Sequence, residues 1–173
     1  MTSTLKPLIR TLSIVLATGG ATLLTSLPVQ AQAVRTEHNL SQTLAAQLAA
    51  DTVAACAANG HAVTATVVDR AGNVRAVQRA DNAGPHTLEA SRLKAYTSAS
   101  ARNTTLAMME ASQKNPAAAN LKDIPGYLLL GGGVPVRAGN EVIGAVGVGG
   151  APGGHLDEQC AMAALEQVKA ALQ

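Results

Sequence analysis

Phenylalanine and tryptophan are absent from the 173 residues, and Tyr96 and Tyr127 supply the only aromatic rings apart from four histidines. So few stacking platforms argue against recognition of single-stranded nucleic acid or sugars through aromatic faces. The core must instead be filled by Ala, Val, Leu, Ile and Met, whose small side chains let elements pack closely. Charge of one sign is missing too. The formal +2 rests on 13 Lys and Arg against 11 Asp and Glu, and no basic cluster occurs that would serve a nucleic-acid or phospholipid surface. Cysteine is limited to Cys56 and Cys160. The longest apolar run, between Thr11 and Leu27, is broken by Gly19 and Gly20 and falls short of the roughly 20 residues that span a bilayer.

That broken run has another reading. Lys6 and Arg10 precede the apolar stretch and Ala31-Gln32-Ala33 closes it, which is the basic, hydrophobic and A-x-A order of a signal peptide. Residues 1–33 are therefore expected to be a leader, and residues 34–173 a single exported domain, periplasmic or secreted. Both leader cations leave with it, so 13 less two gives 11 cations against 11 anions and a mature charge near zero. In an exported chain Cys56 and Cys160 admit one disulfide, or else two buried thiols acting as small apolar residues. Pairing requires the helices that carry them to be neighbours.

Apolar residues recur at helical spacing from Leu40 to Cys56, and Asn59-Gly60 ends that pattern. From Ala62 it changes to alternation, with Val63, Ala65 and Val67 on one face, then the turn Asp69–Asn73 and a second short run from Val74 to Arg79. This predicts a hairpin. Pro85 suits the start of a helix over residues 86–102, with Glu89 in its early turns where the dipole favours a carboxylate. A continuation over residues 104–115 ends at Asn115-Pro116, and residues 117–125 are expected to be irregular. A second hairpin turns at Ala138-Gly139-Asn140, and Asp157 is placed to cap a final helix. Two hairpins without a parallel crossover pattern point to an antiparallel sheet covered by helices, an α+β fold.

Among these pieces, the D-x-x-G turn from Asp69 to Gly72, the Arg79–Ala83 segment and the S-x-x-K-A-x-T stretch from Ser91 to Thr97 form one group. Gly132-Gly133-Val134-Pro135, Gly144–Val148 and Asp157-Glu158 form another. Together they resemble the haem-binding HbpS-like and GlcG-like family, also found as the C-terminal domain of PduO-type proteins. The resemblance runs from about residue 40 to 170. It implies a profilin-like α/β/α sandwich with a five-stranded antiparallel sheet, and assembly into homo-oligomers, octamers among them. In that fold the first and last helices lie near one another, which would allow a disulfide between Cys56 and Cys160.

Candidate site residues concentrate on the helix after Pro85. A neutral imidazole at His86 could ligate haem iron, although a histidine there could equally be a surface residue. Tyr96 and Thr97 are weaker oxygen ligands that the resemblance makes part of a haem-site wall. Lys94 and Arg102 could pair with propionates or with a small carboxylate. His155, Asp157 and Glu158 suggest a metal but also make an ordinary acidic helix start. Neither glycine run, Gly131–Gly133 or Gly149–Gly154, carries a P-loop G-K-[ST] or a strand-to-helix G-x-G-x-x-G, and no G-x-S-x-G elbow occurs. With no nucleophile assembled, the residues favour a binding protein over a catalyst.

Three readings follow. The first is an exported oligomeric haem-binding protein engaged in haem handling or degradation. The second is a domain that binds or converts a small metabolite such as a hydroxy acid. The third is a non-catalytic sensory or interaction module.

Overall fold

The fold was examined in a computed structural model that describes residues 35–173; the expected leader, residues 1–33, lies outside the described residues. Helix α1 (Gln42–Ala57) is followed by strands β1 (Thr64–Asp69) and β2 (Val74–Arg79), then helices α2 (Thr87–Ala101) and α3 (Thr105–Lys114). A 3-10 helix (Pro116–Asp123) leads to β3 (Gly133–Ala138), β4 (Glu141–Gly149) and α4 (Gly154–Gln167). Both expected hairpins form, and the strands pair antiparallel in the order β2-β1-β4-β3.

The alternation in β1 decides which helices lie on which face. Val63 and Val67 join Leu48, Cys56, Val146, Val148, Cys160 and Ala164 in the main core, beneath α1 and α4. The residues between them, Thr64, Thr66 and Val68, face α2 on the other side. There the Thr64 and Thr87 hydroxyls hydrogen-bond at 2.7 Å, as do those of Thr66 and Ser91. Helices thus cover both faces of the sheet. Cys56 and Cys160 are joined in a disulfide, with Cα atoms 5.2 Å apart, tying α1 to α4.

The scarcity of large side chains is most visible between α2 and β4. Ala95, Ala99 and Ala145 pack with Val68 in a second small cluster, and Gly147 lets the helix backbone rest on the strand. A Cβ on Gly147 would collide with the Ser91 carbonyl and the Ala95 amide, and neither backbone group can rotate away. Gly147→Ala is therefore expected to cost about 1–3 kcal/mol, the range of overpacked cores, measured by urea unfolding. Wild-type stability in that variant would show that α2 can shift off the sheet freely.

The sheet has four strands among the described residues, not the five implied by the resemblance. The segment before β3 satisfies its backbone through helix side chains in place of a ladder. Leu128 N donates to Thr97 Oγ1 (2.8 Å), and Thr105 Oγ1 donates to the Leu130 carbonyl (2.7 Å). Gly126 and Gly132, at φ of +83° and +118°, turn the chain out of extended geometry. Much of the stretch 117–125, expected to be irregular, falls in the 3-10 helix Pro116–Asp123, where the Asn115 side chain accepts from Ala117 N. Asp157 is not the cap of the last helix. Gly153 holds that position, and Asp157 lies inside the first turn with its carboxylate turned elsewhere.

Candidate functional site: a buried ion pair beneath a glycine-rich turn

Helix α2 carries three of the five candidates and is capped by the other two, His86 and Arg102, and it distributes them among different surroundings. Lys94 faces the sheet at 2% exposure, although it is one of the longest side chains on the helix. Its ammonium donates to the Val148 carbonyl (2.8 Å) and to Asp157 Oδ2 (2.7 Å). The other Asp157 oxygen accepts from Ala151 N at 3.0 Å, which fixes the turn between β4 and α4. Burial pushes the Asp157 carboxyl above the usual carboxylate range, against the opposing pull of Lys94 and of the Ala151 amide.

Glycine makes room for this pair. A Cβ on Gly132 would stand 2.7 Å from the Asp157 Cβ, 2.7 Å from the Val148 oxygen and 3.1 Å from Lys94 Nζ. Between the start of α2, the end of β4 and the turn into α4 lies a cavity of about 220 Å³. His86, Ala90, Lys94, Leu130 and Asp157 line it together with the backbone of residues 149–154. His86 caps α2 at its mouth; the residue is exposed and makes no side-chain cap hydrogen bond.

The remaining candidates lie elsewhere. Tyr96 is half-buried, meets Tyr127 edge-on with ring centroids 6.5 Å apart, and borders a separate hollow of about 150 Å³ with Arg70, Gly72 and Ser100. Thr97 is fully buried, and its hydroxyl both donates to the Leu93 carbonyl and accepts from Leu128 N, so it serves the loop before β3. Arg102 is exposed and ends α2 in the left-handed conformation, φ 57°, where its carbonyl accepts from Arg137 Nη2. At about 1.5 Å per residue the helix separates it from His86 by about 24 Å. His86 and Lys94 alone of the five share one cavity.

Asp157 is the member that sequence spacing placed wrongly. Its pairing with Lys94 spans 63 positions, beyond the reach of any local pattern. Glu158, its neighbour, turns another way. Burial also raises its carboxyl, and Oε2 has no hydrogen-bond partner among the described residues. His155, Asp157 and Glu158 do not converge, and no cluster of three or more potential metal ligands occurs among the described residues.

An antiparallel sheet with helices on both faces and a small cavity beside a buried ion pair define an α+β domain. The chain belongs to the HbpS-like family, whose description is "Haem degrading protein HbpS-like" and whose model matches residues 40–166. It is similar in structure to HbpS itself, at 35% identity and a TM-score of 0.75, over 82% of this chain and 99% of that one. It is also similar to ORFY of Klebsiella pneumoniae, at 30% identity and a TM-score of 0.76, over 81% and 97% of the two chains. An uncharacterized 15.0 kDa protein from the dhaT-dhaS intergenic region of Citrobacter freundii is 37% identical over 90 residues. That match spans 51% of this chain and 63% of the Citrobacter protein.

Proposed function

We propose that the protein is an exported, oligomeric haem-binding protein in which His86 supplies the iron ligand. The observation that carries this reading is the placement of His86: an exposed imidazole at the head of α2, without a cap hydrogen bond, beside a cavity mouth in a haem-associated family. A neutral imidazole of this kind suits haem iron. Leu88 and Leu130, 50% and 44% exposed, offer apolar surface on the neighbouring chain segments. The cavity itself, at about 220 Å³, falls below the roughly 300–1,000 Å³ of cofactor pockets. This cavity alone is too small to enclose a macrocycle, so a second copy of the chain would supply the rest of the cover. Export accords with the leader pattern and with the Cys56–Cys160 disulfide, a bond that persists in oxidising compartments.

Titration of the purified protein with hemin tests the reading. A saturable Soret shift is expected, weakened roughly tenfold or more in His86→Ala, whereas Thr97→Ala and Tyr96→Phe should keep the spectrum of the wild type. Absence of saturable binding would remove the proposal. An unchanged spectrum in His86→Ala would move the ligand to another residue.

A further inference from the structure

We propose that the interior of the cavity behind His86 is a binding site for a short aliphatic monocarboxylate, held by Lys94 and the glycine-rich turn. This is independent of whether haem binds at the His86 side chain.

The wall of the cavity presents a buried ammonium and the amides of a helix start. Lys94 carries three ammonium protons, and two acceptors, the Val148 carbonyl and Asp157, are its partners among the described residues. A buried cation that lines a cavity with one proton open is poised for an oxygen that enters it. Gly154 and His155 begin α4, a 14-residue helix whose Gly153 cap has no side chain to bond them. Their amides have no acceptor among the described residues, as expected for the first turn of a helix. Of the acceptor side chains, Asp157 is already engaged at both oxygens, by Lys94 and by Ala151 N, and His86 stands at the mouth. Such a wall favours a group that only accepts, and an ionised carboxylate is that group.

Charge and size narrow the class. Lys94 is already paired with Asp157, so what remains for a ligand is one ammonium proton and the helix-start amides, enough hydrogen bonds for a single carboxylate and too few for the two charges of a phosphate. Ala90, Leu130 and Pro152 give the rest of the lining an apolar character suited to a short carbon chain. The volume of about 220 Å³ corresponds to roughly seven water molecules at about 30 Å³ each, enough for two to four carbons and their carboxylate.

The test is a propionate titration of the isotope-labelled full chain followed by amide chemical shifts, with inorganic phosphate and ethylamine as comparison probes. Saturable shifts centred on residues 149–155 are expected for propionate, and none of that pattern for ethylamine or phosphate. Lys94→Met should abolish them, but it also breaks the buried pair, so Ala90→Leu supplies the second variant. Ala90 is half-buried, lines the cavity one turn before Lys94 and takes no part in the ion pair's hydrogen bonds, so leucine fills the space while leaving the pair its partners. In that variant, with an unaltered melting temperature, the shifts should weaken at least tenfold. Absence of saturable shifts, a response equal for phosphate, or undiminished binding by Ala90→Leu would each overturn the proposal. Hemin titration of the same samples is read separately, so failure of one reading leaves the other standing.

Discussion

Lys94→Met will lose about 3–5 kcal/mol of folding stability at pH 8, the penalty for breaking a buried pair and leaving one charge alone. Methionine matches the length of lysine and fills its place, so a cavity accounts for little of the loss. What remains is the Asp157 carboxylate, 3% exposed, with the Ala151 amide as its sole hydrogen-bond donor. That loss is comparable to a third or more of a domain's typical 5–15 kcal/mol.

The direction of the pH effect follows from burial. Asp157 already has a raised carboxyl in the folded protein, with desolvation the leading cause. Removing the ammonium deletes the main influence that lowers it, so the variant's carboxyl rises further. A carboxyl raised by folding favours the folded state while it is protonated, below its unfolded value, and that advantage disappears as pH climbs through the folded value. The destabilisation should therefore shrink on going from pH 8 to pH 5. Adding Asp157→Asn to Lys94→Met should recover much of the stability, because the amide oxygen keeps the Ala151 N–H bond without a charge. Urea unfolding of both singles and the double closes the cycle. A loss below about 1 kcal/mol for Lys94→Met at pH 8, outside the range of buried pairs, would mean that the pair is solvated in solution.

The two hairpins were legible because their signal is local: alternation in β1, the turn at residues 69–73, and the turn at Gly139 each involve residues within hydrogen-bonding range along the chain. The helix over α2 was legible from Pro85 and Glu89, although its own apolar pattern is weak, because it packs through Ala, Ser and Thr. The same small residues hid the site. Lys94 reads as a solvated cation until β4 and α4 are folded around it, since its partners are the backbone of Val148 and a carboxylate 63 residues away. Thr97 illustrates the converse. The resemblance made it part of a haem-site wall, and in the fold its hydroxyl accepts from Leu128 N and donates to the Leu93 carbonyl. The fifth strand implied by resemblance does not form among the described residues: Leu128 N bonds to Thr97 on α2, the Leu130 carbonyl to Thr105 on α3, and the Gly132 carbonyl accepts from Val148 N where β3 begins.

Cys56→Ala with Cys160→Ala is expected to lower stability by about 4–5 kcal/mol, since a disulfide closing a loop of about 100 residues is worth roughly 4.7 kcal/mol in the chain-entropy model. The bond here spans 104 positions, from the end of α1 to the middle of α4, so it restricts nearly the whole unfolded domain. Alanine leaves no buried hydroxyl, which keeps polar burial out of the measurement. Both sulfurs lie in the main core among Leu48, Ala161 and Ala164, where no aromatic ring adds buried area to hold α1 against α4. A fall in melting temperature of about 10–20 °C is expected for a domain of this size, together with a loss of sensitivity to dithiothreitol that the wild type should show. A variant that melts with the oxidised wild type would place the cohesion of that face in its aliphatic packing alone. The measured difference thus reports how far a covalent link between α1 and α4 compensates for a core built without phenylalanine or tryptophan.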